Sequence, residues 1–330
     1  MQALLPLGGY QRLSDRIRTV APELQVITMD GEGRLARDGA PVEADAISPE
    51  VFWISRDLFG GGYMPYFRAL VASPTARWVQ TAMAGVEHPA FKALPEKGVR
   101  VSNSSAQAPA IADFVAIHAM SLLHPIAAQG AEQAAHAWTR LDFTEVADTR
   151  WLIIGFGHIG KEIARRAKGF GATVEAVRRS PDAEGLADAV STLADLPRTL
   201  PTADVVVLAC ALTGETRDIA NAAFFAAMKP GAILVNIGRG GLLDEDALRA
   251  ALDAGRPGWA VLDVFRTEPL PAESWIWDHP RIRVTPHASN RGSGVDRRGD
   301  ELFVENLRRY VAGEPLLNLV RPEDIGAGGD

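Results

Sequence analysis

Residues 151–160 read Trp-Leu-Ile-Ile-Gly-Phe-Gly-His-Ile-Gly, and a helical pattern follows them at once. An apolar run that ends in glycines spaced G-x-G-x-x-G is typical of a strand, turn and helix start that bind the pyrophosphate of a dinucleotide. Gly155 would make the tight turn, Gly157 would let a phosphate approach the backbone, and Gly160 would let the helix pack closely on the strand. The N–H groups at the helix N-terminus would attract the anion.

The residues after the next predicted strand bear on which dinucleotide binds. About 20 residues beyond the glycines, an Asp or Glu would bond the ribose 2′-hydroxyl of NAD. This chain has Arg178, Arg179 and Ser180 there, whereas Glu175 lies earlier, within the strand. Two guanidinium groups and a hydroxyl suit a 2′-phosphate, through charge-assisted hydrogen bonds. The pattern favours NADP(H) over NAD(H), although a solvated arginine pair at a strand end would give the same sequence.

The composition is ordinary for a globular protein and argues against several partners. The chain has 330 residues, of which 47% are hydrophobic and 23% charged, and its net charge is −7. Acidic and basic residues are mixed along it, so neither nucleic acid nor an anionic membrane is expected as a partner. The single cysteine, Cys210, excludes an internal disulfide and favours a reducing compartment. No segment reads as a signal peptide or a membrane span, and no metal site is predicted, so we expect a cytoplasmic protein.

Short apolar runs alternate with helical patterns along the chain, which predicts parallel sheets covered by helices. The runs of the first part lie at residues 3–6, 24–28, 51–55, 78–81 and 99–102. Six further runs lie at residues 151–154, 173–177, 204–209, 232–236, 259–263 and 282–285, enough for a complete doubly wound sheet. A long apolar helix over 108–124 and a polar connector over 129–149 separate the two sets. We expect an α/β protein with two doubly wound parallel sheets.

Polar residues follow three successive strands of the second set. Arg239 enters a glycine-rich turn, where a guanidinium can clamp a carboxylate. Asp263 and Glu268 follow the next strand, and His287 follows the last. Ligands bind at the carboxyl ends of such strands. A histidine after a proline is, taken alone, more often a turn residue, but together with the arginine and the carboxylates beside a dinucleotide it predicts hydride transfer with a proton donor.

These motifs resemble the D-2-hydroxyacid dehydrogenase family, which is D-isomer-specific and NAD(P)-dependent. The resemblance covers nearly the whole chain. Its most specific pieces are the glycine turn, the run Asn-Ile-Gly-Arg-Gly that contains Arg239, the run Leu-Asp-Val-Phe-Arg-Thr-Glu-Pro-Leu-Pro that contains Glu268, and Thr-Pro-His, which ends at His287. The Arg-Arg-Ser motif and the C-terminal region look most like the branch of NADPH-preferring glyoxylate and hydroxypyruvate reductases.

The resemblance implies a role for each residue of the site. Arg239 would bind the carboxylate and carbonyl of a 2-keto acid. His287 would protonate the carbonyl oxygen as hydride reaches C2, and Glu268 would orient His287 and favour its protonated form. The segment Met-Ala-Gly-Val-Glu at 83–87 would complete the carboxylate site with the backbone of Ala84, Gly85 and Val86.

The resemblance also implies a set of cofactor-binding residues. These are Gly155, Gly157, His158, Ile159, Gly160, Arg178, Arg179, Ser180, Cys210, Thr216, Ile237 and Asp263. Asp263 would lie near the nicotinamide amide. Cys210 also ends an apolar run, and a small buried side chain is a more natural interpretation for it than a nucleophile.

Domain organisation and assembly follow from the same resemblance. A Rossmann cofactor domain, residues 105–287, would be inserted into a flavodoxin-like substrate domain built from 1–104 and 288–330. Family members form homodimers through the region of the long apolar helix, so a homodimer is expected for this chain too. Trp138 would either line the pocket of the neighbouring subunit or simply lie in the interface. Asn290 and Arg291 depart from the residues usual after Thr-Pro-His, which leaves the substrate preference open.

The favoured function is therefore NADPH-dependent reduction of a small 2-keto acid, glyoxylate or hydroxypyruvate, to the D-2-hydroxy acid. Two alternatives stay open. A cofactor-sensing protein of the corepressor type would share the fold and the glycine turn. A dehydrogenase of another small anion, such as phosphite, would use the same three catalytic residue types.

Overall fold

The computed structural model describes residues 1–86, 89–180 and 183–326. The chain divides into two compact units. Unit 1 combines Met1–Gln107 with the chain from Ser293 onward, and unit 2 is the continuous segment Ala108–Gly292. The predicted domain boundaries, at 104/105 and 287/288, lie a few residues before these divisions.

Strands and helices are numbered in chain order. The strands are β1 (Gln2–Pro6), β2 (Gln25–Met29), β3 (Leu35–Arg37), β4 (Ala40–Pro41), β5 (Val51–Ile54), β6 (Trp78–Thr81), β7 (Arg100–Ser102), β8 (Arg150–Ile154), β9 (Thr173–Val177), β10 (Ala189–Ser191), β11 (Val205–Leu208), β12 (Ile233–Asn236), β13 (Trp259–Leu262) and β14 (Ile282–Val284). The helices are α1 (Leu7–Val20), α2 (Tyr63–Ala72), α3 (Ala93–Glu96), α4 (Ala108–Leu123), α5 (Ile126–Ala134), α6 (His158–Gly169), α7 (Leu196–Thr199), α8 (Ala222–Ala227), α9 (Glu245–Asp253) and α10 (Val295–Ala312).

The sheet of unit 1 runs β4-β3-β2-β1-β5-β6-β7. Its last five strands are parallel and have the flavodoxin-like order 2-1-3-4-5, which confirms the predicted parallel sheet. The antiparallel hairpin β3–β4 extends the edge at β2 and was not predicted. Its turn is Asp38-Gly39, and both residues have positive φ, at 51° and 81°. Asp-Gly is a strong hairpin signal even between strands this short, so this turn was predictable from the sequence.

The sheet of unit 2 runs β10-β9-β8-β11-β12-β13-β14, with every pair parallel. All six predicted strands are confirmed, in the Rossmann order. The seventh, β10, was not predicted because its three residues, Ala-Val-Ser, carry almost no apolar pattern. The strand order reverses between β8 and β11, and the crevice at such a switch point is where α/β sheets bind ligands. The glycine turn after β8 lies at this point.

Two apolar layers cover the sheet of unit 1. On one side, Trp53 stacks on Phe303 of α10, with ring centroids 4.3 Å apart and planes 1° apart, and Trp78 stacks on Tyr310 at 5.2 Å. The buried Asn306 of α10 accepts a hydrogen bond from the backbone of Leu317. The C-terminal tail therefore packs on unit 1, as expected.

Helix α4 is the predicted long apolar helix, and one of its faces is buried in the core of unit 2. The segment after it is not wholly the polar connector that was predicted, because α5 is helical. Among the described residues, no single helix is long and apolar enough to cross a membrane. Helices α4 and α5 meet that length-and-composition test only as a pair, bent by 58°.

Candidate active site

The glycine turn after β8 has the steric properties that its sequence predicts. Gly155 has a φ of +98°, which L side chains rarely adopt, and a Cβ there would lie closer than 3.0 Å to the backbone of Cys210. A Cβ on Gly160 would lie closer than 3.0 Å to the carbonyl oxygen of Gly155. A Cβ on Gly157, by contrast, would meet nothing within 4 Å. Gly157 therefore borders open space that a phosphate group can fill.

Helix α6 begins at His158, immediately after this open space. The first N–H groups of a helix have no intrahelical acceptor. The N-cap residue, Gly157, supplies no side-chain oxygen to accept from them. His158, Ile159 and Gly160 thus present an uncapped, partly positive helix end, which is the arrangement that binds a pyrophosphate. The residues present fit a dinucleotide.

We expect substitution by alanine to have different effects at Gly160 and at Gly157. Gly160→Ala is expected to lower the free energy of unfolding by about 1–3 kcal/mol, because the new methyl group overlaps the Gly155 carbonyl. Gly157→Ala should leave stability within about 0.5 kcal/mol, yet weaken NADPH binding about tenfold or more by displacing a charge-assisted hydrogen bond. Urea denaturation and fluorescence titration with NADPH measure the two quantities. Equal stability losses in both variants would contradict this assignment.

The arginine motif lies directly beyond β9. Arg178 follows the last strand residue, and its backbone N–H donates to the carbonyl of Ser191 at 2.9 Å. Arg178 is half-buried, whereas Arg179 and Ser180 are exposed. Glu175 lies in the middle of β9, with Oε1 4.0 Å from Nη2 of Arg198. The position that would bond a ribose 2′-hydroxyl in an NAD site is therefore occupied by basic and hydroxyl groups.

Arg239 follows β12, and a buried asparagine fixes its turn. Asn236, 1% exposed, accepts from the N–H of Gly238 at 3.1 Å and donates to the carbonyl of Arg239 at 3.0 Å. The guanidinium of Arg239 is half-buried and donates to the carbonyl of Gly238 at 2.7 Å. Sequence reasoning missed the positioning role of Asn236, although a polar residue at the end of an apolar strand could have indicated it.

His287 and Glu268 form the pair that the family resemblance implies. Nδ1 of His287 lies 2.7 Å from Oε2 of Glu268, and the other carboxylate oxygen accepts from the backbone N–H of Phe265 at 3.0 Å. His287 has a φ of +50°, which is uncommon for a residue other than glycine and often occurs at functional sites. Its side chain is 44% exposed. Because Nδ1 is engaged by Glu268, a ligand would have to contact the ring through Nε2.

Asp263 holds the turn that carries His287. The carboxylate is 1% exposed and accepts from the hydroxyl of Thr285 at 2.7 Å, the N–H of Ala288 at 2.8 Å and the hydroxyl of Ser289 at 2.5 Å. The carbonyl of Asp263 also accepts from the N–H of His287 at 2.9 Å. Asp263 is thus a positioning residue, and its contact with a nicotinamide amide stays a prediction.

Three other residues of the predicted cofactor set are buried or occupied by local contacts. Burial raises the pKa of the Cys210 thiol to about 11, so the side chain is an uncharged thiol at neutral pH. Thr216 donates to the carbonyl of Ala211 at 2.7 Å and thereby shapes the loop after β11. Ile237 is 6% exposed and packs in the core of unit 2. Their contacts with a cofactor stay predictions.

The predicted substrate loop belongs to unit 1 and follows β6. The amide of Asn103 donates to the carbonyl of Ala84 at 2.6 Å, and the carbonyl of Val86 accepts from the N–H of Gly326 at 2.9 Å. The loop is therefore anchored at both ends, with Gly85 half-buried between them. Glu87, the last residue of the motif, lies outside the described residues.

Arg239, Glu268 and His287 follow the neighbouring strands β12, β13 and β14, so they lie at one edge of the sheet. The glycine turn follows β8 at the same edge. Within the described ranges, no group of three or more His, Cys, Asp or Glu side chains is arranged to hold a metal ion. The edge combines an anion-binding helix end with an imidazole–carboxylate pair and a guanidinium.

Comparison with known proteins identifies relatives of this arrangement. The family model described as D-isomer specific 2-hydroxyacid dehydrogenase, NAD binding domain, matches residues 116–289. The chain is 35% identical, over 63% of its length, to D-3-phosphoglycerate dehydrogenase 2, chloroplastic, of Arabidopsis thaliana, but it spans only 34% of that protein. It is 31% identical to glyoxylate/hydroxypyruvate reductase B of Citrobacter koseri over 84% of this chain and 88% of that one.

A solved structure matches both units. It is a D-isomer specific 2-hydroxyacid dehydrogenase from Xanthobacter autotrophicus Py2, in complex with NADPH and MES. The TM-score is 0.76 at 28% identity, and the match covers 98% of each chain.

Proposed function

The chain belongs to the D-isomer specific 2-hydroxyacid dehydrogenase family, and on that premise we propose that it reduces a small 2-keto acid to the D-2-hydroxy acid with NADP(H). The observation that carries the proposal is the 2.7 Å pair between His287 and Glu268, at the same sheet edge as Arg239 and the glycine turn. Glyoxylate and hydroxypyruvate are the proposed substrates, supported by the Arg-Arg-Ser motif and by the reductase named among the relatives.

The cofactor would be held by residues of unit 2. The uncapped N-terminus of α6, beside Gly157, would bind the pyrophosphate. Arg178, Arg179 and Ser180 would bind the 2′-phosphate through charge-assisted hydrogen bonds. When bound, NADPH supplies the hydride that reduces the keto carbon.

The substrate would be held by its carboxylate. The guanidinium of Arg239 offers a planar pair of donors for a carboxylate and the adjacent carbonyl oxygen. The backbone N–H groups of Ala84, Gly85 and Val86 in unit 1 are the proposed second contact. Negative charge that develops on the carbonyl oxygen during reduction is then stabilised by positive charge and N–H dipoles already in place.

The proton would come from His287. Nδ1 is engaged by Glu268, so the protonated ring would donate from Nε2 to the carbonyl oxygen and act as the base in the reverse direction. Glu268 would balance the charge of the imidazolium and fix the plane of the ring. Asp263 would keep the 285–289 turn in place through its hydrogen bonds.

Steady-state assays test this proposal. The purified chain is mixed with glyoxylate, hydroxypyruvate and pyruvate, each with NADPH and with NADH. We expect NADPH oxidation with glyoxylate or hydroxypyruvate and a higher kcat/KM for NADPH than for NADH. The absence of turnover with every acid and both cofactors would contradict the proposed reaction, and a preference for NADH would contradict only the choice of cofactor.

We further propose a homodimer formed through the region around α4 and α5. Four large apolar side chains are exposed there: Ile117 at 66%, Ile126 at 55%, Phe143 at 54% and Trp138 at 98%. Large exposed apolar side chains concentrated in one segment of the chain favour an interaction site there. Light scattering should give twice the chain mass, with a shift toward the monomer in Trp138→Ala. A monomer in the unmodified protein would contradict the proposal.

A further inference from the structure

Unit 1 contains a cavity of about 330 Å³ at the carboxyl ends of β5, β6 and β7. Ala82, immediately after β6, is part of its wall, and the proposed substrate loop at 84–86 comes next in the chain. In α/β sheets, ligands bind outside the carboxyl ends of the parallel strands. The cavity therefore lies beside the loop that is proposed to bind the substrate carboxylate.

The charged side chains that line this cavity carry a net negative charge. Three carboxylates, from Asp57, Asp296 and Asp300, face two guanidinium groups, from Arg12 and Arg56. Arg12 donates to both oxygens of Asp57, at 2.6 and 2.9 Å, and to both oxygens of Asp300, at 3.1 and 3.2 Å. Four of the five N–H donors of this guanidinium are thus directed at carboxylates of the wall. Its charge is balanced within the protein and does not attract an incoming anion.

Asp57 is ionised because of its hydrogen bonds. Burial acts to raise the pKa of its carboxyl, but the hydrogen bonds from Arg12 and from the hydroxyl of Ser55 outweigh burial and hold the pKa below its usual value. The hydrogen bonds from Arg12 and Ser55 thus keep the Asp57 carboxylate charged at neutral pH.

The other guanidinium faces the beginning of α10. Nε of Arg56 lies 3.4 Å from Oδ1 of Asp296, which is in the first turn of that helix. A helix N-terminus attracts anions. Here Asp296 supplies the negative charge itself, so both the helix end and Arg56 are neutralised from within the protein.

The remaining polar wall is made of uncharged groups. The buried hydroxyl of Thr81 accepts from the N–H of Met83 at 3.2 Å, and that of Ser104 accepts from the N–H of Ala106 at 3.2 Å. These buried hydroxyls add no charge to the wall of the cavity.

We propose that this cavity receives the substituent on C3 of hydroxypyruvate and of other 2-keto acids with three or more carbons, and that the charge of the cavity selects neutral substituents, such as a hydroxyl, against phosphate or a second carboxylate. The proposal rests on the proposed function and deepens it by naming the substrate class. By this proposal the chain would differ in substrate from the relative named as a phosphoglycerate dehydrogenase, whose name implies a phosphorylated substrate. Asp296 is the specificity-determining residue because it neutralises both the helix end and Arg56.

The test compares substrates that differ in the charge at C3. In the unmodified protein, kcat/KM for 3-phosphohydroxypyruvate and for oxaloacetate should be at least about tenfold below that for hydroxypyruvate, the effect of placing like charges together. Asp296→Asn should reduce the ratio of kcat/KM for hydroxypyruvate to kcat/KM for each of these charged acids by about fivefold or more. The reason is that the substitution frees Arg56 and the N-terminus of α10 to attract an anion. Asp296 is 65% exposed, so the variant should fold, which circular dichroism checks.

Glu301→Gln is the matched control. Glu301 is on the same helix, is 44% exposed and pairs with Arg297, but it does not line the cavity. The control also removes one negative charge from α10. It should leave the ratio of kcat/KM for hydroxypyruvate to kcat/KM for 3-phosphohydroxypyruvate unchanged. Equal use of phosphorylated and unphosphorylated acids by the unmodified protein would overturn the proposal, as would equal shifts in the two variants.

Binding measurements distinguish a failure of the proposed cavity selectivity from a failure of the proposed reaction. Titration calorimetry with D-glycerate and 3-phospho-D-glycerate, with and without NADPH, requires no turnover. Selective binding of D-glycerate without turnover of any 2-keto acid would refute the reaction and support the cavity's selectivity. Turnover with equal binding of both acids would refute the selectivity alone, and the absence of binding by either acid would contradict both.

Discussion

His287→Asn is expected to lower kcat for 2-keto acid reduction by about 10²–10⁴-fold, the usual contribution of a general acid. Asparagine tolerates the left-handed backbone conformation at this position, φ +50°, so the turn should persist while the proton donor is lost. NADPH affinity and the thermal midpoint should stay close to those of the unmodified protein, because the imidazole is not proposed to bind the dinucleotide. Stopped-flow kinetics and fluorescence titration measure the two effects.

His136→Asn is a matched control, since His136 is also a histidine at positive φ, 54°, and is exposed. It should retain full activity. If His287→Asn retained turnover within a few-fold, the acid would have to be another group. If the unmodified protein bound NADPH without any turnover, the cofactor-sensing alternative would gain support.

Arg178→Ala combined with Arg179→Ala is expected to lower kcat/KM for NADPH by about 10²-fold or more, because two charge-assisted hydrogen bonds to the 2′-phosphate are lost. The value for NADH should change by less than about threefold, since NADH has no phosphate at that position. The preference for NADPH should therefore disappear or reverse. Steady-state kinetics at saturating 2-keto acid measure kcat/KM for NADPH and for NADH.

The control for this variant removes two positive charges elsewhere. Arg16→Ala with Arg18→Ala changes exposed residues of α1 in unit 1 and leaves the motif after β9 intact. It should keep the cofactor preference. Equal losses for NADPH and NADH in the Arg178/Arg179 variant would mean that the pair supports the structure of the loop and does not recognise the phosphate.

Several of the parallel strands were predictable because they are mainly apolar runs buried on both faces. Val205–Leu208 and Ile233–Asn236 are buried throughout, and such runs stand out in a sequence. The glycine turn was predictable because sterics leave few alternatives at Gly155 and Gly160. Two kinds of short strand were missed. Strand β10 carries almost no apolar pattern, and the hairpin β3–β4 was missed although its Asp-Gly turn signals it.

The pairing of Glu268 with His287 was predicted only through the family resemblance. The two residues are distant in sequence, and no local pattern determines which carboxylate will face an imidazole. The role of Asp263 was predicted differently, as a contact of the nicotinamide. Its hydrogen bonds to Thr285, Ala288 and Ser289 depend on tertiary structure, which no spacing rule contains. The pairing of Arg12 with Asp57 and Asp300 also depends on tertiary structure, since these two carboxylates come from distant parts of the chain.

The division of unit 1 between two distant segments has a consequence for biosynthesis. The aromatic stack of Trp53 on Phe303 and the pairing of Ser102 with Leu319 need residues that leave the ribosome after all of unit 2. At about 5–20 residues per second, the inserted segment takes roughly ten seconds or more to be made. Unit 2 is continuous and has its own apolar cores, so it can fold while the nascent unit 1 still exposes the face that α10 will cover. Until α10 is made, that apolar face is open to aggregation or to a chaperone.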